Sequence, residues 1–419
     1  MTSYTIPPIN KAFDCTLALP GSKSIALRQL AIAALTEGTT TLRGVPPCDD
    51  TEAMYDCLSA LGVAISHNEG EVQITGPMNF DDDVDLNARM SGASTRLLIG
   101  LAALRAGKTR IDGHDSLRRR TNQPLYDVLV ANGCAVEGEA GLPVEITGPL
   151  RPDSVIEVDG SISSQYLTAL LIISPYLPTA TSINLTSDLV SRPYIEITRT
   201  EMAKRGCEVQ WQNERSLTTQ PGAYIPGEFT VEGDATAASY LAALATLHGS
   251  RVVLSNLGSD THQGDYAFCN IVEALGAEVG REPGRTTIQG PANLNELDPK
   301  DLESMPDAAL TLIAMAPLIP GTTTITGLST LHHKECDRLE CSNVELTKLG
   351  VASTTTYDSI TVPHTPKLNE SELETYHDHR MAMAFSTIGS ITGSVTVDQK
   401  SVVEKTYPHY WEDYERLRS

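Results

Sequence analysis

Six short clusters place Ser, Asp, Lys, Arg or His directly before an apolar run. They are Ser22-Lys23-Ser24 before Ile25–Leu35, Gly92-Ala93-Ser94 before Leu97–Leu104, and Ser163-Ser164-Gln165 before Tyr166–Ile173. The others are Asp234-Ala235-Thr236 before Tyr240–Leu247, Pro306-Asp307 before Ala308–Ala316, and Asp378-His379-Arg380 before Met381–Ile388. A small polar residue ahead of an apolar run reads as a helix start. Its unpaired N–H groups and partial positive charge make it a ready anion site. N-capping accounts for Asp234 and Ser22. It does not account for Lys23, His379 and Arg380, because cations there oppose the dipole.

Further cations stand at Arg96, in the run Arg118-Arg119-Arg120, in Lys334-Glu335-Cys336-Asp337-Arg338, and at Lys405. Taken singly, each is an ordinary solvated cluster. Taken together with Asp307, Glu335, Ser163, Ser164 and Ser191, they describe a cationic cleft with a few carboxylates and hydroxyls. That chemistry suits small polyanions whose phosphate and carboxylate groups are held by Arg and Lys. The Asp and Glu side chains are left for proton transfer. The residues alone lead to a transferase or lyase acting on phosphorylated carboxylates.

Other chemistries find less support. Pro20-Gly21-Ser22-Lys23-Ser24 lacks the spacing of a phosphate-binding P-loop, and no Gly-x-Gly-x-x-Gly opens a helix. His377-x-His379 and His332-His333 have no third ligand at a useful spacing, so no metal is expected. The eight cysteines contain no Cys-x-x-Cys pair, which fits reduced thiols rather than a disulfide scaffold. With 31 Lys and Arg against 53 Asp and Glu, the net charge of −22 argues against nucleic acid and anionic membranes as partners. No secretory signal or spanning apolar stretch is apparent, so a cytoplasmic protein is expected.

The positioning elements follow from a repeat. With Ser22, Gly92, Ser163, Asp234, Pro306 and Asp378 as markers, the steps are 70, 71, 71, 72 and 72 residues. A second track of helix-like segments ends at Gly62, Gly133, Gly206, Gly276 and Gly350, each followed by strand-like alternation. Each copy reads helix–strand–helix–strand–strand. The sixth copy stops after its second helix, near Trp411–Leu417, and the leftover segment Tyr4–Leu19 is expected to supply its missing strands.

The clusters, in order, resemble the 5-enolpyruvylshikimate-3-phosphate synthase (3-phosphoshikimate 1-carboxyvinyltransferase) family. The resemblance rests on Leu19-Pro-Gly-Ser-Lys-Ser24, Val158-Asp-Gly-Ser-Ile-Ser-Ser-Gln165, Asp188-Leu-Val-Ser-Arg-Pro-Tyr194 and Glu232-Gly-Asp-Ala-Thr236. It continues through Met305-Pro-Asp-Ala-Ala-Leu-Thr311, Lys334-Glu-Cys-Asp-Arg338, Asp378-His-Arg-Met-Ala-Met-Ala384 and Lys405-Thr-Tyr-Pro408. The fold it implies is α/β (α+β): two similar lobes of three βαβαββ units each, an inverse α/β-barrel-like enolpyruvyl transferase fold that closes on its substrates. One lobe would span 20–231, and the other 1–19 plus 232–419.

The implied reaction transfers the enolpyruvyl group of phosphoenolpyruvate to the 5-hydroxyl of shikimate 3-phosphate. It passes through a tetrahedral intermediate, releases phosphate, serves aromatic amino acid biosynthesis, and needs no cofactor. The resemblance gives catalytic roles to Asp307, Glu335, Lys23 and His379. Shikimate 3-phosphate would lie against Lys23, Ser24, Arg28, Ser163, Ser164, Gln165, Ser191, Tyr194, Asp307 and Lys334. Phosphoenolpyruvate would lie against Lys23, Gly92, Arg120, Gln165, Arg338, Arg380 and Lys405. A monomer is expected.

Several positions depart from the family pattern. Met90-Ser91-Gly92-Ala93 replaces Asn-Ala-Gly-Thr, Thr330 replaces Asn, His332 replaces Arg, Arg119 replaces Glu, and Cys336 replaces Thr. The alternatives are a UDP-N-acetylglucosamine-type enolpyruvyl transferase, whose loop Cys has no counterpart at Leu117-Arg-Arg-Arg120, and a non-catalytic anion-binding repeat scaffold.

Overall fold

In the computed structural model, residues 2–68 and 70–419 are described. The chain divides into two compact units, Gly21–Val231 and Met1–Pro20 with Glu232–Ser419.

The Gly21–Val231 unit contains α1 (Lys23–Leu35), α2 (Asp49–Ala60), α3 (Gly92–Ala103), α4 (Gln123–Ala131), α5 (Ser164–Ile173) and α6 (Pro193–Lys204). Every residue of α1 from Ile25 to Leu35 is buried. A helix apolar on all sides belongs in an interior, and α1, α3 and α5 pack on one another there. Around them lie three four-stranded sheets. The sheet formed by Val84–Asn87, Thr109–Asp112, Val144–Thr147 and Ala135–Gly138 shows the common plan. Its first two strands run parallel, connected through α3, and the last two form an antiparallel hairpin. The first sheet of this unit takes its parallel edge strand, Glu228–Thr230, from the end of the unit.

The other unit repeats the plan with α7 (Ala235–Leu247), α8 (Phe268–Ala274), α9 (Ala309–Met315), α10 (Arg338–Lys348), α11 (His379–Thr392) and α12 (Tyr410–Arg418). Here α7, α9 and α11 are the buried, mutually packed helices. The N-terminal segment serves two sheets rather than one. Tyr4–Thr5 pairs with Val395–Val397 and completes the last, three-stranded sheet. Asp14–Leu17 instead lies parallel to Arg251–Leu254, as the first strand of the fourth repeat. The reason is spacing: Pro7 and Pro8 break the segment between the two short strands.

The glycines of the second track all take left-handed backbone, with φ of 86° at Gly62, 93° at Gly133, 83° at Gly206, 104° at Gly276 and 84° at Gly350. They end the outer helices where a side chain would be strained. Among the described residues, no helix is long and apolar enough to cross a membrane, and no group of three metal-ligating side chains occurs.

Candidate active site

Each buried helix begins at a polar turn, and the capping is more varied than the sequence pattern suggests. Asp234 caps α7 by accepting from Ala237 N (2.9 Å), and Asp378 caps α11 by accepting from Arg380 N (2.9 Å). Ser163 caps α5 by accepting from Gln165 N (3.3 Å). Ser22 makes no side-chain cap, and its buried hydroxyl has no hydrogen-bond partner among the described residues. At α3 the cap is Ser91, one residue before Gly92.

In the Glu232–Ser419 part, the predicted residues converge on alternating charges. The Asp307 carboxylate receives Lys334 Nζ (3.2 Å) and Arg338 Nη1 (2.9 Å) on Oδ1, and Arg380 Nη2 (3.0 Å) on Oδ2. Glu335 lies between Arg338 Nη2 (3.0 Å) and Lys405 Nζ (2.9 Å). Arg338, 1% exposed, also donates from Nε to Asp378 Oδ2 (2.7 Å). Arg380 Nη1 donates to Tyr240 Oη (3.2 Å). His379 is buried, with Nδ1 3.4 Å from Asp378 Oδ1.

Electrostatics follow from this packing. Burial alone would push the Asp307 carboxyl up. Arg380, Lys334 and Arg338 outweigh burial and hold it well below the usual carboxylate range. Arg338 loses to burial but gains more from Asp378, Glu335 and Asp307, so its proton is held more tightly than usual. The Arg380 charge at the α11 start, anomalous for a cap, is thus met by the Asp307 carboxylate rather than by the helix end.

In the Gly21–Val231 unit the predicted residues are joined by a different kind of network. Arg28 is buried and binds three segments at once. Its Nε donates to Thr198 Oγ1 (2.8 Å), Nη2 to Thr168 Oγ1 (3.3 Å) and to the Tyr194 carbonyl (3.1 Å), and Nη1 to the Ser24 carbonyl (2.8 Å). Burial pulls the Arg28 guanidinium down to about 10, against the opposing charges of Tyr194 and Glu201. Ser24, the α5 helix carrying Ser163, Ser164 and Gln165, and the Tyr194 turn are thereby held together. Ser191 precedes that turn with φ of 53°, a left-handed conformation unusual for a non-glycine residue.

Lys23 pairs with Asp50 (2.9 Å), at the start of α2. Ser94 Oγ, on α3, donates to the Asp50 carbonyl (3.3 Å). At Gly92, a side-chain carbon would lie 2.8 Å from Arg120 Nη1 and 2.8 Å from Arg96 Nη1. The glycine therefore leaves room for two guanidinium groups at the α3 start. Arg96 also donates to the Gly92 carbonyl (3.0 Å) and the Thr121 carbonyl (3.2 Å), and Tyr166 Oη donates to the same Thr121 carbonyl (2.8 Å). Burial, with the neighbouring charge of Arg120 also acting in that direction, lowers the Arg96 proton affinity. Cations gathered around backbone carbonyls and hydroxyls, with few carboxylates, are suited to receiving an anion.

The other basic and histidine clusters separate from these groups. Arg118 is engaged with Asp112 (2.9 Å) and Asp115 (3.1 Å) at the surface. His332 bonds Asp337 (2.8 Å) and stacks on Tyr357. Asp50, Arg96 and Asp378 belong to the networks but not to the predicted set. Arg96 and Asp378 each carried a signal, as a cation or cap at a marked helix start. Asp50, in a run of acidic residues opening an outer helix, carried none.

The EPSP synthase (3-phosphoshikimate 1-carboxyvinyltransferase) family profile matches residues 8–414. A 3-phosphoshikimate 1-carboxyvinyltransferase of Photobacterium damsela subsp. piscicida is 36% identical over the full length of both chains. One of Escherichia coli O17:K52:H18 is 35% identical, across 100% of this chain and 99% of its own. The solved EPSP synthase of Acinetobacter baumannii superposes with a TM-score of 0.82 at 25% identity, covering 99% of this chain and 97% of its own. The chain belongs to the EPSP synthase (3-phosphoshikimate 1-carboxyvinyltransferase) family and has its enolpyruvyl transferase fold.

Proposed function

We infer that the chain transfers the enolpyruvyl group of phosphoenolpyruvate to the 5-hydroxyl of shikimate 3-phosphate and releases phosphate; the name 3-phosphoshikimate 1-carboxyvinyltransferase carried by its relatives supports this reading. The observation that carries this reading is the Asp307 carboxylate, held ionised by three cations beside a second carboxylate, Glu335, bracketed by two.

Asp307 takes the proton of the attacking 5-hydroxyl as its oxygen bonds to C2 of the enol. Glu335 delivers a proton to C3. The tetrahedral adduct then returns one proton from its C3 methyl group to the Glu335 carboxylate as the C2–O bond to phosphate breaks; phosphate departs with the proton held by Asp307, and the enol ether is formed. Lys23 neutralises charge near the reacting oxygen, and His379 supports the reacting centre from its buried place beside Asp378. Ser163, Ser164, Ser191 and Lys334 hold the shikimate phosphate, Ser24 and Arg28 its carboxylate, and Gln165 and Tyr194 its ring. Arg120, Arg338, Arg380 and Lys405 clamp phosphoenolpyruvate, with Gly92 leaving space for it.

The internal ion pairs are part of this chemistry. Lys334, Arg338, Arg380 and Lys405 are the cations the substrates need, and in the free protein they rest on Asp307 and Glu335. Arriving phosphate and carboxylate groups compete for them. That competition frees Asp307 to accept a proton and Glu335 to carry one at the moment both are required. The groups present supply positioning and charge stabilisation for the whole reaction. We further propose a cytoplasmic monomer.

The test is phosphate release with both substrates and with each omitted in turn. Release that requires both supports the reaction, and no release at any pH between about 5 and 9 sinks it. Replacement of shikimate 3-phosphate by UDP-N-acetylglucosamine should give none.

A further inference from the structure

Asp265 is a buried carboxyl that the proposed chemistry leaves unused. It sits on the short turn Gly264–Ala267 and is 5% exposed. Its Oδ2 accepts from Thr236 Oγ1, whereas Oδ1 has no hydrogen-bond partner among the described residues. Thr236 lies in the first turn of α7. Four residues on, on the same face, Tyr240 accepts from Arg380, which in turn reaches Asp307. Ser239, between them in sequence, is within 2.7 Å of Thr311 on α9, fixing the helices against each other.

The charged groups acting on Asp265 come from three elements: Asp307 ahead of α9, Arg380 on α11 and Asp234 at the α7 cap. From α8, which follows the turn directly, the titratable side chains are Cys269 and Glu273. Glu273 is engaged by Arg281 at 2.6 Å. Burial first, and then the charge of Asp307, push the Asp265 carboxyl up to about 7; the Thr236 hydrogen bond and Arg380 act against this rise.

Resting on the reaction above, we propose that Asp265 is a positioning residue whose protonation decides how much of the Arg380 charge is available to the phosphoenolpyruvate anion. Protonated, it adds no charge to the field in which Arg380 meets Asp307. Ionised, it adds a second buried negative charge to the same field, and the incoming anion is repelled by it. Anion binding therefore favours the protonated form. By reciprocity, it draws one proton from solvent onto the Asp265 carboxylate, with no other bond changed.

The experiment compares KM for phosphoenolpyruvate at about pH 6 and about pH 8.5 in the wild type, Asp265→Asn and Thr236→Val. The substrate's own phosphate ionisation is common to all three and cancels in the comparison. The asparagine keeps an acceptor for Thr236 but cannot ionise. The alkaline rise in KM should be smaller in Asp265→Asn by on the order of threefold to tenfold. Thr236→Val removes a bond that favours the charged form, so its rise should begin at higher pH than in the wild type. The same pH dependence in all three overturns the proposal. So does a defect in Asp265→Asn that is equal at both pH values, since that is what structural damage alone produces. Failure of the wild type to release phosphate would be a separate result, removing the reaction and the proposal with it.

Discussion

The two units use one architecture and load it with opposite chemistry. In the unit holding α7, α9 and α11, cations face carboxylates: Asp307 receives three, Glu335 two, and Asp378 takes Arg338 at 2.7 Å. In the unit holding α1, α3 and α5, Arg28 and Arg96 donate to hydroxyls and backbone carbonyls, and Lys23 pairs with Asp50. Acids that move protons need cations to set their state, whereas a surface that only receives an anion is better served by neutral acceptors. The repeat supplies equivalent helix starts, and the side chains placed on them differ: paired acids and cations in one unit, guanidinium groups over neutral acceptors in the other.

The largest expected effect breaks the chemical side. Asp307→Ala removes the proposed proton acceptor and should lower kcat by about 10²–10⁴-fold. Binding of shikimate 3-phosphate should stay measurable by calorimetry, because Ser163, Ser164 and Ser191 are untouched. Near-normal turnover would end the assignment of Asp307, and with it the division drawn here.

A smaller effect tests the binding side. Arg120 shares the space over Gly92 with Arg96, each with a guanidinium nitrogen 2.8 Å from where a side-chain carbon would stand. Arg120→Ala should raise KM for phosphoenolpyruvate about 10–100-fold, the worth of a charged hydrogen-bonded contact, with a smaller change in kcat. A kcat loss matching that of Asp307→Ala, at unchanged KM, would mean that Arg120 joins Lys23 in the chemistry rather than serving binding alone.

Much of this was legible in the sequence because two signals are local. Buried helices announce themselves by apolar runs that follow polar turns, and outer helices end on glycine because their last turn requires positive φ, as at Gly133. The spacing of those signals gave the repeat. What was not legible depends on contacts distant in sequence. Nothing near Asp50 indicates that Lys23 will rest on it, and nothing near Arg28 indicates that Thr168 and Thr198 will absorb its donors. The family resemblance gives Arg28, with Ser24, a substrate contact, and the structure adds a structural duty that joins three helices. The N-terminal segment was hard for the same reason. Two short strands separated by prolines carry no mark of which sheet each will join.

The smallest effect sharpens the comparison most finely, because it separates room from charge. Gly92 has ordinary helical backbone rather than positive φ, so alanine is conformationally allowed there and favours the helix by about 0.5–1 kcal/mol. The added carbon would meet the far ends of Arg96 and Arg120, at 2.8 Å each, and those flexible groups can move aside. Gly92→Ala should therefore keep or slightly raise Tm while raising KM for phosphoenolpyruvate by roughly two- to tenfold, as the guanidinium groups leave their positions. A lower Tm with an unchanged KM would place the glycine's importance in packing, where the added carbon also meets Leu117 Cδ1 at 3.8 Å, instead of in the space it keeps for an anion.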